Sequence, residues 1–131
     1  MKIILLCLYV LPLLAAWAPL SSEETPQYLY KVVSPQQWQE SQAQGTLIIT
    51  GIDKEFIHLA TEEQVPHVAQ KFWKNQDYVI LKLIPSKLQG RLVFEVNPGG
   101  TTKYYHLYEG KIPLDAVVDS KLFKKDTQES L

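Results

Sequence analysis

Apolar positions divide the chain into two unlike parts. Ile3 to Leu14 is apolar throughout except for Pro12 and follows one positive residue, Lys2, whereas beyond Pro26 apolar residues come in short runs separated by turn formers. The first pattern is that of a secretory leader, and its apolar stretch falls short of the ~20 residues of a membrane-spanning helix. Ala16-Trp17-Ala18 has the small-x-small form of a cleavage site, although Pro19 follows it; the leader is therefore placed at residues 1–20 with the bond itself open. Residues 21–27 are polar and aperiodic, a flexible lead-in. One domain is expected over 28–123, followed by a polar tail at 124–131.

Within the domain, Tyr28–Val33 is rich in aromatic and β-branched residues and reads as a strand. Ser34 then caps a helix with Pro35 in its first turn, Gln37 as the capping-box partner and Gly45 as its stop. Thr46–Thr50 and Glu55–Leu59 are each candidate strands, separated by an Asp53-Lys54 turn. Thr61 caps a second helix, with Glu62 and Glu63 favouring its dipole, Gln64 completing a box, and Val65, Val68, Ala69 and Phe72 recurring at helical spacing as far as Lys74. Pro66 predicts an irregular start. Tyr78–Ile84 is almost wholly apolar, the pattern of a central strand. Arg91–Val96 and Lys103–Tyr108 flank the turn Asn97-Pro98-Gly99-Gly100, and Ala116–Phe123 follows a Gly110–Asp115 loop. Two helices in the first half and strands gathered in the second predict an α+β fold with a small mixed or antiparallel sheet.

Composition adds exclusions. A chain with 46% hydrophobic and 21% charged residues is globular, and its length suits a single domain. Cys7, the only cysteine, lies in the leader, so an exported chain has no thiol and its chemistry rests on oxygen and imidazole. Setting Lys2 aside leaves 12 basic against 14 acidic residues with no basic stripe, which argues against a nucleic-acid partner. Membrane contact is expected only through the leader, the location is secreted or periplasmic, and a monomer is expected.

Two of the three histidines stand where chemistry is plausible. In Phe56-Ile57-His58-Leu59, alternation puts Phe56 and His58 on one face, just ahead of a helix start where Thr61 and free amides would suit an anion. Tyr104, His106 and Tyr108 share a face of the next candidate strand, either as a pocket lining for a planar ligand or as a half-exposed edge. Glu95, inside an apolar run, either faces water or is held in a site where burial raises its pKa toward the range of a general acid or base. His58, Glu95 and His106 include the donor types of a catalytic zinc site, but no helical His-x-x-x-His pair supports one and no metal is expected. His67 reads as a surface residue of the second helix.

The combination Tyr28-Leu29-Tyr30-Lys31-Val32-Val33, Trp38, Phe56-Ile57-His58-Leu59-Ala60-Thr61-Glu62-Glu63-Gln64-Val65, Glu95, His106-Leu107-Tyr108 and Leu114-Asp115-Ala116-Val117-Val118 closely resembles the domain-of-unknown-function family numbered 952, a set of short bacterial proteins. The resemblance implies a distant likeness to the ADP-ribosyltransferase fold, which binds NAD in a cleft between two small sheets. It places Tyr30-Lys31 at the nicotinamide-ribose contact, His58 at the aromatic that stacks on nicotinamide, and Glu95 at one candidate position for the catalytic acid. The chain departs from the family pattern at Glu55, Ala60, Val93-Phe94 and Glu109, where the family usually has Gly, Ser, Arg-Trp and no residue.

These readings favour a small planar or anionic ligand, NAD-like or nucleotide-like, held by Tyr30, Lys31, His58, Thr61, Tyr104, His106 and Tyr108. An ADP-ribosyltransferase-like enzyme, active or degenerate, using His58, Glu95 and His106 is the alternative. A structural domain with no ligand is the third.

Overall fold

The computed structural model describes residues 24–125; the expected leader at 1–20 with Cys7, residues 21–23 of the expected lead-in and residues 126–131 of the expected tail lie outside the described residues. Strand β1 (Leu29–Val33) leads into helix α1 (Pro35–Gln44), whose cap Ser34 accepts a hydrogen bond from the Gln37 amide at 3.0 Å and whose end at Gly45 is left-handed, φ 81°. The predicted capping box closes only by half, because the Gln37 side chain donates to the Ile48 carbonyl at 2.7 Å instead of turning back to the cap. Ser41, buried in α1, takes the Ile48 N–H at 2.8 Å. Ile48 is thus held by side chains of α1 while the Leu47 N–H donates to the Ile112 carbonyl at 2.9 Å, and residues 46–50 form no strand, only an isolated bridge from Thr46 to Pro113.

Strand β2 (Phe56–Leu59) follows a short 3₁₀ turn at Gly51–Asp53. The Thr61 box forms as expected, with the Thr61 N–H donating to Gln64 Oε1 at 3.0 Å, but the irregular start ahead of Pro66 is a separate 3₁₀ turn, Glu62–Gln64, and helix α2 proper is Val65–Phe72. The remaining strands are β3 (Tyr78–Leu83), β4 (Gln89–Val96), β5 (Lys103–Lys111) and β6 (Val117–Phe123).

The expected single sheet is two. One has the order β1-β3-β6, with β3 central as its apolar run predicted; the other has the order β2-β5-β4, and every pairing is antiparallel. The sheets meet through one isolated bridge, in which Tyr30 and Ala60 exchange hydrogen bonds of 2.8 and 2.9 Å. Between them lies the main core: Leu29 and Val33 of β1 and Val79, Leu81 and Leu83 of β3 face Ile57 and Leu59 of β2 and Leu107 of β5. Burying each such side chain contributes ~1.5–3 kcal/mol. A smaller cluster of Val32, Ala69 and Tyr78 fixes α2 on the outer face of the first sheet.

Strands β4 and β5 are longer than their apolar runs suggested because a bulge lets them continue. The register passes from Arg91 opposite Tyr108 to Gln89 opposite Lys111, so Glu109 and Gly110 stand against Gly90 alone. Glu109, the residue that the family pattern lacks, is the extra one, and it adopts φ 51°. Gly90 sits at φ 119° with no room for a side chain: a Cβ there would lie 2.6 Å from the Tyr108 carbonyl oxygen.

Candidate functional site

Strand alternation sorts the second sheet into two faces. Ile57, Leu59, Tyr105 and Leu107 enter the core, which leaves Phe56 and His58, Tyr104, His106 and Tyr108, and Arg91 and Glu95 together on the outer face. His58 stands directly opposite His106. The His58 N–H and C=O both turn away from β5, toward Asp53 and Lys31, so the two histidines form a non-hydrogen-bonded pair, in which side chains stand closest. Their ring centroids are 5.4 Å apart, edge to face.

Asp53 organises the near half of this site. It ends the 3₁₀ turn before β2 and is 4% exposed, and its Oδ1 accepts from both the His58 N–H at 3.1 Å and the His58 ring Nδ1 at 2.7 Å. Lys31 reaches across from β1, in the row of core residues Leu29 and Val33, to place its buried ammonium 2.7 Å from Asp53 Oδ2 and 3.0 Å from the His58 carbonyl. Burial works to raise the Asp53 carboxyl, but the His58 hydrogen bond and the Lys31 charge overcome it and hold the group below the usual carboxylate range. An ionised carboxylate only accepts, so Nδ1 of His58 carries a hydrogen. Nε2, on a side chain 32% exposed, has no hydrogen-bond partner among the described residues. That is the nitrogen left to meet a ligand or take a proton.

The far half is closed. His106 is 1% exposed although it lies on the outer face, because Phe56 stacks on it at 4.0 Å between centroids and both ring nitrogens are taken. Nδ1 lies 3.0 Å from Glu95 Oε1, and Nε2 lies 2.7 Å from Asn97 Oδ1. The Tyr108 hydroxyl donates to the same Glu95 oxygen, and the Arg91 guanidinium lies 4.7 Å from the Tyr108 ring centroid. Glu95 is not a carboxyl lifted by burial: it is partly exposed, and the hydrogen bonds from Tyr108 and then His106 hold it below its ordinary value. Glu95 in turn raises the Tyr108 phenol. Spectrophotometric titration is expected to find Tyr108 ionising above the usual tyrosine value of about 10, and Glu95→Gln to bring it back toward that value.

The structure thus brings His58, Glu95, His106 and Tyr108 together and sets Tyr104 opposite Glu95 on the same face. Lys31 lies beneath, spent on Asp53 and the His58 carbonyl rather than offered to a ligand. Thr61 is occupied as a helix cap beside two carboxylates, a poor setting for an anion. Tyr30 turns to the other face of the first sheet, where it lines a cleft of about 430 Å³ with Glu62, Val65, Pro66, Ile80 and Lys82. A second cleft of about 400 Å³ runs between Thr25–Gln27 and Ile84–Ser86. Neither cleft is lined by an imidazole. Among the described residues, no group of three or more His, Cys, Asp or Glu could hold a metal ion. Asp53 and Asn97 escape sequence reading, since each looks like an ordinary turn residue; only their spatial return to a histidine distinguishes them.

Two antiparallel three-stranded sheets around one core, with a histidine–carboxylate network on the outer face of the second, define a small α+β domain with a polar candidate site. The chain belongs to the family described as protein of unknown function (DUF952), whose model matches residues 32–120. It is similar to the crystal structure of CC0527 from Caulobacter crescentus, with 28% identity and a TM-score of 0.64 over 72% of this chain and 84% of that one. The solution NMR structure of CC0527 gives 26% identity and a TM-score of 0.61 over 73% and 84% of the two chains. No curated protein matches.

Proposed function

We propose that the outer face of the second sheet binds a small planar, anionic ligand of nucleotide type, with His58 Nε2 as its principal contact, in a protein exported by its leader. One observation carries this reading. His58 is fixed through Nδ1 by a buried, ion-paired Asp53 and keeps its other nitrogen without a partner on an accessible side chain, an outlay of buried charge that a purely structural histidine does not need. Arg91, resting on the Tyr108 ring of the same face, supplies the cation for a phosphate, and Tyr108 supplies aromatic surface.

A catalytic version draws on the same groups. An imidazole oriented by a carboxylate is the arrangement of a general base, and ionised Glu95 is suited to accept from a ribose hydroxyl. The family resemblance implies an NAD cleft between two sheets, but core side chains fill that space here, so chemistry of the ADP-ribosyltransferase type would take place on the outer face instead. His106 has no ligand role in either version; it positions Glu95.

Titrating the protein with NAD, ADP-ribose and nucleoside monophosphates while following imidazole NMR signals tests both. Binding should shift the His58 signal and leave His67 unmoved, and His58→Ala should weaken the complex about tenfold or more, ~1.4 kcal/mol. Release of nicotinamide from NAD, lost in Glu95→Gln, would establish the catalytic version. Absence of any response at His58 across the series would overturn the ligand reading.

A further inference from the structure

Strand β6 forms one edge of the first sheet, so among the described residues only its β3 side is paired. Five consecutive residues, Val118 to Leu122, are exposed, with Val118 at 46% and Leu122 at 50%. Edge strands are usually guarded by charged side chains, lysine above all, by proline, by bulges or by being very short. This one has seven residues, no proline and no glycine, and its single irregularity is a bulge at Val118, since Lys82 pairs with Asp119 but Leu83 with Val117. Among the described residues, Asp119 to Leu122 has only its charges as a guard, and those are of opposite sign, so they can match a second copy.

The segment Val118-Asp119-Ser120-Lys121-Leu122 complements itself when laid antiparallel. We infer that two copies of the chain pair edge to edge through β6, centred on Ser120, to form a two-fold symmetric dimer with one continuous six-stranded sheet. Asp119 then stands opposite Lys121 of the partner subunit, and Ser120 opposite Ser120 of the partner subunit. The faces agree as well. Asp119 and Lys121 lie on the outer face with their β3 neighbours Lys82 and Ile80, while Ser120 and Leu122 lie on the core side with Leu81 and Val79. Two symmetry-related ion pairs would line the outer side of the seam.

Charge also selects the register. A two-fold axis perpendicular to the sheet keeps each side chain on its own face, so the sum of the paired residue numbers must be even and alternative pairings differ from it by two. The adjacent register on one side sets Asp119 against Asp119 of the partner subunit; the one on the other side sets Lys121 against Lys121 of the partner subunit. Only the Ser120-centred pairing matches every charge with its opposite.

An edge seam of this length belongs with small, weak interfaces, so the dimer should appear at high concentration. Sedimentation equilibrium of the protein up to ~1 mM is expected to show a rise toward twice the mass of one chain. Asp119→Lys and Lys121→Asp should each remain at the mass of one chain, because each sets like charges opposite, and an equimolar mixture of the two should regain the dimer. Circular dichroism checks that both variants fold. If either does not, the double variant Asp119→Lys/Lys121→Asp should pair with itself and fail to mix with the unaltered protein, as read by native mass spectrometry. A single-chain mass for the unaltered protein throughout, a dimer that either folded single variant retains, or free mixing of the double variant with the unaltered chain would overturn the inference.

Discussion

Asp53→Ala is expected to cost about 3–5 kcal/mol of folding stability, the usual penalty for breaking a buried ion pair from one side. Lys31 is buried among core residues with Asp53 as its only carboxylate partner among the described residues, and without Asp53 its charge has no counterion among them. Domains of this size are stable by only ~5–15 kcal/mol, so the loss is a large fraction of the whole and should be plain in urea unfolding. Adding Lys31→Met to that variant should recover part of it, since an apolar side chain of similar length suits the row formed by Leu29 and Val33. Acid should act like the mutation. The Asp53 carboxyl is held below its unfolded value, so its contribution is fully present above the ordinary aspartate pKa of about 3.9 and is lost as pH falls through the lower folded value. A steeper loss of stability below about pH 4 in the unaltered protein than in Asp53→Asn checks the sign.

Gly90→Ala is expected to be nearly as damaging, at about 3 kcal/mol or more. The residue sits at φ 119°, and its new Cβ would meet two backbone atoms, the Tyr108 carbonyl oxygen at 2.6 Å and the Gly110 Cα at 2.7 Å. Strain at such a conformation alone costs ~1–3 kcal/mol, and backbone cannot step aside as a flexible side chain could. The consequence is local as well as global. Arg91 and Tyr108 are paired beside the bulge, so the variant should also disturb the Tyr108 hydrogen bond to Glu95, visible as a Tyr108 titration moved toward that of an ordinary phenol.

What the sequence made legible was local. Ser34 with Pro35 and Gly45, and Thr61 with Gln64, bracket their helices through contacts a few residues apart, and the apolar run of β3 announced a strand with neighbours on both sides. Alternation also placed His58 with Phe56, and His106 with Tyr104 and Tyr108, before any fold was known. It could not show that these belong to one sheet face. Division into two sheets depends on which distant strands pair, β1 with β3 and β2 with β5, and no periodicity records that. Residues 46–50 have strand composition but are claimed by Gln37 and Ser41, a tertiary preference that overrides propensity. Glu95 shows the same limit. A carboxylate in an apolar run can face inward or outward, and the outward face is where the network lies.

The clasp between Lys31 and Asp53 has a mechanical meaning. Lys31 is rooted in one sheet while Asp53 and His58 are anchored to the other, and among the described residues one backbone hydrogen-bonded bridge, Tyr30 with Ala60, joins those sheets. A scissoring motion of the two layers would therefore pull first on this tie-bar and tilt the imidazole it steadies. Ring orientation at His58 thus serves as a gauge of the angle between the layers.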